Sequence, residues 1–285
     1  MHWSHGLTTI DLSLLATGLE LAEPGLWHAK ATEPISYPQE ANEWCGDVEE
    51  HSFWFQHRNH CIVSIMKRFP PRGPVFDIGG GNGFVSVAMQ EAGFQPVLVE
   101  PGVSGIQNAR RRGLNPVVHA TLETAGFRDG VLPAAGLFDV IEHIEDDARF
   151  LRSIHDLLAP RGILYLTAPA YNFLWSPDDD YAGHFRRYSL RTLRRTLHRS
   201  GFQILFQSYI FAFLPFAVLL FRTVPAWCGK RKNLNVEQQR REHAFRGGWR
   251  GRVLRAWSRW EVRRLEANRT IPFGGSCLIV ASSSK

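Results

Sequence analysis

One heptapeptide restricts the fold of this chain more than any other feature. Asp77-Ile78-Gly79-Gly80-Gly81-Asn82-Gly83 ends the short apolar run VFDIG (75–79) and opens NGFVSVAMQEAG (82–93), whose helical spacing stops at Gly93. A glycine turn between a strand and a helix lets the backbone approach a ligand closely, and the helix amino terminus offers N–H donors to it. The dinucleotide fingerprint G-x-G-x-x-G fails here, because counting from Gly79 the sixth position is Phe84, and counting from Gly80 the third is Asn82. What remains is D-x-G-x-G-x-G. Its carboxylate, Asp77, would repel a pyrophosphate but suits a zwitterion that carries an ammonium group. Glu100, at the end of PVLVE (96–100), can accept hydrogen bonds from both hydroxyls of a ribose.

The same alternation continues along the chain. A helix is expected over 104–112, a strand over NPVVHA (115–120), and another over LPAAGLF (132–138). A helix over 147–158, closed by Pro160-Arg161-Gly162, leads to the strand GILYLTAPA (162–170). A helix over 190–201 and strands over FQILFQSY (202–209) and SCLIVASS (276–283) complete the pattern. Strands alternating with helices predict an α/β, mostly parallel, doubly wound sheet that binds its ligand at the carboxyl ends of the strands. Four units follow: an N-terminal helical cap (1–74), a core (75–209), a basic and apolar helical insertion (210–272) and a final core strand (273–285). The cap and the insertion are placed to cover a substrate pocket.

Four widely scattered cysteines, with no C-x-x-C pair, exclude a disulfide framework or a zinc finger as the organising feature and fit a reducing compartment. The first 25 residues lack a basic start, and Glu20 and Glu23 interrupt their apolar run, so no secretory signal is expected.

Four motifs in order, DIGGGNG (77–83), VEPG (99–102), LFDVIEHIEDD (137–147) and GILYLTAP (162–169), resemble the class I S-adenosylmethionine-dependent methyltransferases. HSFWFQHRN (51–59), GHFRRYS (183–189) and IPFGGSCLIVA (271–281) are similar to elements of a bacterial subgroup associated with envelope polysaccharide, lipid or secondary-metabolite pathways. The resemblance implies a seven-stranded sheet with an antiparallel last strand and S-adenosylmethionine as cofactor. It also implies that Gly79, Gly80, Gly81 and Gly83 face the methionine part, with Asp77 beside them. Glu100 and Pro101 would lie at the ribose, Thr121, Leu122 and Glu123 at the adenine, and Asp139 near the sulfonium or the acceptor.

Methyl transfer is an in-line displacement, so such an enzyme chiefly aligns nucleophile, carbon and leaving group. A base matters most for a hydroxyl acceptor. His143 and His184, each beside an expected strand-end loop, are the candidates, together with Asp139. Asp139, Glu142, His143 and His184 also suit a divalent metal, and a second histidine group is formed by His51, His57 and His60. Arg186 and Arg187, with Tyr188, are placed to clamp an anionic substrate, or else they begin the solvated face of the following helix.

Residues 186–269 hold 20 of the 33 Lys and Arg but 4 of the 27 Asp and Glu, a balance of +16 against −10 for the remainder. The apolar run YIFAFLPFAVLLF (209–221) is short for a span and contains Pro215. Trp249, Val253, Trp257 and Trp260 recur on one side of an arginine-rich helix. Two readings stand side by side: contact with an acidic membrane surface, or a lid whose arginines meet water. The expected reaction is O-methylation of a small-molecule, sugar or lipid-linked acceptor by a cytoplasmic protein, peripheral on the inner face of the membrane in the first reading. RNA methylation and non-catalytic cofactor binding are the alternatives, nucleic acid being less favoured because no RNA-binding motif accompanies the basic surface.

Overall fold

The computed structural model describes residues 10–31, 52–213, 215 and 248–285, the side chains of 248–250 excepted. At the amino end, β1 (Leu19–Glu23) and β2 (Leu26–Ala29) form a hairpin around Pro24-Gly25. Gly25 adopts φ +76° there, a left-handed value that glycine reaches without a Cβ clash. α1 (Phe53–Arg68) contains the aromatic cluster. There follow β3 (Val75–Ile78), α2 (Phe84–Glu91), β4 (Pro96–Glu100), α3 (Val103–Arg111), β5 (Val117–His119), α4 (Leu122–Ala125) and β6 (Leu132–Phe138). α5 (Asp147–Leu157), β7 (Leu158–Pro169), α6 (Pro177–Ala182), α7 (Leu190–Arg199), β8 (Phe202–Ile210), α8 (Gly248–Glu266) and β9 (Ser276–Ser283) complete the described elements.

Local chemistry explains the boundaries. Asp146 caps α5 by accepting the Arg149 N–H at 2.9 Å, and Ser189 and Thr192 form a reciprocal capping box on α7. α7 is otherwise polar but buries Leu193 and Leu197, four residues apart on one face. β3, β4 and β6 are buried at every position, as strands covered on both sides must be. Successive residues of β3 serve opposite faces: Phe76 and Ile78 join the cluster containing Leu151 and Leu193, whereas Val75 packs in the one containing Ile62 and Ile65 of α1.

The strand order is β1-β2-β5-β4-β3-β6-β7-β9-β8. From β2 to β7 all neighbours are parallel, while β9 runs antiparallel to both β7 and β8. The chain winds outward from β3 to β5, then returns to β6 on the other side of β3. That reversal opens a crevice between the carboxyl ends of β3 and β6, where open α/β sheets bind ligands.

Two expectations need correction, the strand count and the loop after α5. The sheet has nine strands rather than seven, because the segment assigned to a helical cap also supplies the β1–β2 hairpin, which lengthens the sheet beyond β5. The glutamates that interrupt the amino-terminal apolar run are exposed positions of an edge strand. Pro160-Arg161-Gly162 does not form a loop after α5; it lies inside β7, which pairs Leu158 with Leu132 and resumes at Ile163 after a register shift.

Four strands end in a common way. Gly79, Asp139, Tyr171 and Phe211, each within two residues of the carboxyl end of β3, β6, β7 or β8, adopt φ between +58° and +69°. For the three that carry side chains this conformation is unfavourable, and surrounding contacts must hold it. Among the described residues no helix is long and apolar enough to cross a membrane. Most of the apolar run 209–221 lies outside the described residues.

Candidate active site

One wall of the crevice is made by backbone. Gly79 donates its N–H to the Val99 carbonyl at 2.8 Å, which fixes the loop after β3 against β4. A Cβ built on Gly80 would lie 2.2 Å from Leu98 and 2.9 Å from the Asp77 carboxylate, so only glycine fits there. Gly83 occupies the N-cap of α2 with no side-chain cap, which leaves the helix dipole to whatever binds in front of it. Glu100 binds two loops at once: its carboxylate accepts the Gly81 N–H at 2.9 Å and the Gly102 N–H at 2.8 Å. Asp77 is buried and accepts the Ser86 hydroxyl at 2.6 Å. Burial pushes its carboxyl up to about 6, against the Ser86 bond and the Arg58 charge that favour ionisation.

Further along the same rim, the Pro101 carbonyl is bonded by His119 Nε2 at 3.0 Å. Thr121 caps α4 by accepting the Thr124 N–H at 3.1 Å, with Leu122 buried and Glu123 exposed. These strand-end residues border the crevice from the β4 and β5 side.

The opposite wall is made by side chains. Asp139 accepts the Thr167 hydroxyl at 3.0 Å and forms an ion pair with Arg58, which reaches across from α1. The Arg58 guanidinium lies over the Phe55 ring, and its Nε is buried without a hydrogen-bond partner. Glu142 is buried in the 3-10 turn Ile141–His143, and one of its oxygens, Oε2, also lacks a partner. Burial and the neighbouring Asp139 push its carboxyl well above the ordinary range. Unpaired buried polar atoms are uncommon in finished structures, and two of them lie here around Asp139.

His143 and His184, far apart in sequence, meet with ring centroids 4.7 Å apart. Burial and the His184 charge depress His143 to about 4, so its imidazole is neutral at physiological pH. His184 donates through Nδ1 to Asp179 at 2.8 Å. In the tautomer that this bond selects, Nε2 is the acceptor nitrogen of the ring. Asp179 also accepts the Ser176 N–H at 2.8 Å and Arg187 Nε and Nη2 at 2.7 and 2.9 Å. Burial alone would raise its carboxyl, but the bonds from His184, Arg187 and Ser176 outweigh it and hold Asp179 at about 2.

The expected anion clamp is engaged inside the fold. Arg187 is forked onto Asp179, Arg186 pairs with Asp147 at 3.2 Å and bonds the Glu145 carbonyl, and the buried Tyr188 donates to Asp147 at 2.7 Å. The carboxylates of α5 and α6 therefore neutralise the arginines locally, and the GHFRRYS segment shapes the loop instead of presenting free charge. Of the other histidine group, His57 turns inward to Glu261 and His60 faces outward, while His51 lies outside the described residues. Glu142, His143 and His184 do converge, with ligating atoms all within 4.8 Å of one another.

Two site residues carry little signal in the sequence. Arg58 shows only as a cation inside an aromatic helix. Asp179 shows only as the fourth residue of Ser176-Pro177-Asp178-Asp179, a helix-start pattern whose N3 carboxylate here also serves an imidazole.

Comparison with known proteins agrees with this geometry. The family model described as methyltransferase domain matches residues 34–207, more than half of the chain. A ubiquinone biosynthesis O-methyltransferase of Xanthomonas axonopodis pv. citri is 28% identical over 110 residues, 36% of this chain and 46% of that protein. The chain spans about half the length of the curated relatives it matches. A Haloferax volcanii methyltransferase, solved with its activator Trm112, superposes with a TM-score of 0.56 at 16% identity, covering 88% of this chain and 100% of that one. A Haemonchus contortus phosphoethanolamine N-methyltransferase, solved with phosphomonomethylethanolamine and S-adenosylhomocysteine, gives 0.54 at 17% identity over 88% of this chain and 59% of that one. At such identities the two structures establish the shared fold alone. The family match goes further: this chain belongs to the methyltransferase domain family, among the S-adenosylmethionine-dependent enzymes.

Proposed function

We propose that the chain methylates an oxygen of a small-molecule, sugar or lipid-linked acceptor. The crevice residues suit S-adenosylmethionine: the Gly80 cradle has no room for a Cβ, Asp77 suits the ammonium, Glu100 the ribose, and the segment from Thr121 to Glu123 the adenine. When bound, that cofactor supplies a methyl group activated by positive sulfur. The chain's own residues then have two tasks, to align the acceptor and to accept its proton.

The observation that carries the oxygen assignment is the Asp179–His184–His143 arrangement. Asp179 fixes the tautomer of His184, whose Nε2 takes the proton of an acceptor hydroxyl, while the neutral His143 packs edge-on against it without adding a competing charge. A hydroxyl acceptor must lose its proton as the bond to carbon forms, which is the task this arrangement suits. Mass spectrometry of a cell extract incubated with the protein and S-adenosylmethionine tests this reading. It expects a metabolite or lipid that gains one methyl mass on oxygen; methylated RNA in its place, or bound cofactor with no methylated product, refutes it.

A second reading has its own observation, the unpartnered Glu142 Oε2 beside His143 and His184. In that reading the three hold a divalent cation that binds vicinal hydroxyls of the acceptor. Chelation separates the two: activity retained after EDTA and dialysis supports the proton-accepting histidine, and activity lost but restored by a divalent ion supports the metal.

A further inference from the structure

α8 has three faces with different chemistry. The inner one is fixed to the rest of the molecule. Leu265 and Glu261 are fully buried, and Glu261 accepts the N–H groups of Phe211 and Ala212 at 2.8 and 2.7 Å and the Trp257 indole at 3.0 Å, while facing His57 Nε2 of α1 at 2.8 Å. Next to it runs an apolar stripe: Val253, Trp257 and Trp260, at positions i, i+4 and i+7, are 54%, 39% and 44% exposed. Beside the stripe stands a basic face, where Arg252, Arg259 and Arg263 are exposed, and the Arg264 guanidinium packs over the Trp260 ring. Residues 252–266 hold five arginines and two glutamates, and one of those glutamates, Glu261, is internal.

The position of α8 is as informative as its composition. Phe211 follows the carboxyl end of β8, and β8 runs parallel to β7 because both are antiparallel to β9. Glu261 therefore anchors α8 at the same edge of the sheet as the loops after β3 and β6. Through His57 the anchor also reaches α1, whose next residue, Arg58, enters the crevice.

Two large indoles held at the surface by a rigid anchor and flanked by cations match the interface of an acidic bilayer. Indole rings settle at the headgroup level, arginine stems bury their methylenes while the guanidinium groups meet phosphate, and the attraction grows with the acidic lipid content. We propose that α8 is an interfacial helix that docks this protein on an anionic phospholipid surface, with the crevice edge of the sheet toward the membrane. The surface binding stands by itself. Its corollary, that the acceptor is drawn from the membrane and is lipid or lipid-linked, rests on the methyl-transfer reading above.

Flotation with phosphatidylcholine vesicles, with and without about one third phosphatidylglycerol, tests the docking at about 0.1 M salt. The full chain is expected to float with the acidic vesicles, to stay behind with neutral ones, and to be released as salt rises. Val253→Ser/Trp260→Ser should weaken binding about tenfold or more, and Arg252→Glu/Arg259→Glu/Arg263→Glu should abolish it. Both variants keep Glu261 and Trp257, so unchanged melting and unchanged calorimetric binding of S-adenosylmethionine confirm that they fold. No flotation of the wild-type chain, equal flotation of both variants, or salt-sensitive binding to single-stranded RNA without vesicle binding overturns the proposal. Cofactor binding lost with flotation intact would instead overturn the methyl-transfer reading and leave the docking standing.

Discussion

The two walls of the crevice are built on different plans. On the β3–β4 side the crevice is lined by backbone and one carboxylate per strand end, and the residues that build it, Asp77 to Gly83 and Glu100 to Gly102, are neighbours in sequence. On the β6–β7 side it is lined by side chains brought from distant segments. Arg58 comes from α1 to Asp139, His184 from beyond α6 to His143, and Glu261 from α8 to His57. A backbone cradle depends on strand geometry and tolerates change around it. A side-chain wall depends on several elements docking together, so it can be varied for new acceptors and is also easily broken.

The largest effect is expected where the side-chain wall does chemistry. His184→Ala should lower kcat by about 10²–10⁴-fold, the range for a positioned base, with cofactor affinity unchanged. Turnover measured alongside calorimetry checks this; full activity would remove His184 from the reaction. Next comes the anchor of that wall. Glu261→Ala leaves two backbone N–H groups, an indole and His57 buried without their shared acceptor, and should cost about 3–5 kcal/mol of stability in denaturant titration. A loss under about 1 kcal/mol would mean that α8 is not fixed as described.

The backbone wall should respond more mildly and only in cofactor binding. Glu100→Ala removes a charge-assisted contact of roughly 1.5–3 kcal/mol, so S-adenosylmethionine should bind about tenfold or more weakly, with the glycine loop loosened but the fold intact. Unchanged affinity would take Glu100 out of the ribose site. The smallest effect is a pH dependence. Because the Asp77 carboxyl is raised to about 6, the empty protein loses the stability that depends on its protonated form as pH rises from about 4 through 6. A cofactor that carries a cation prefers the ionised form, so affinity should be level above pH 7 and about tenfold weaker at pH 5. Asp77→Asn should flatten that profile.

The same contrast governs what the sequence could disclose. β3, β4 and β6 were legible because strands covered on both faces are continuous apolar runs, and α2 and α3 because Gly93 and Gly113 end them. The cradle was legible because a ligand held by backbone demands glycine at fixed spacing. The β1–β2 hairpin was not, since an edge strand with one buried residue in five leaves almost no alternation to read. β7 was foreshortened because Pro160 and Gly162 signal a loop, although proline is compatible with a register shift in a strand. Arg58, Asp179 and Glu261 were hidden for a different reason: each gains its role from a partner that only the folded chain supplies. The pairing of His143 with His184 was foreseeable only as two candidates, and the packing of α6 against the loop after β6 joins them.

Consider last the residues that leave β6 and β8 with positive φ. Asp139 is held by Arg58, and Phe211 stacks on Trp54 with ring centroids 3.8 Å apart and meets His57 edge-on at 4.9 Å. Three side chains of one helix, α1, thus clamp two unfavourable bends of the backbone. That helix works as a former against which the rim of the sheet is moulded. A chain shortened to begin at Val75 would keep the parallel strands β3 to β7, yet those bends would relax and the acceptor side of the crevice would lose its outline.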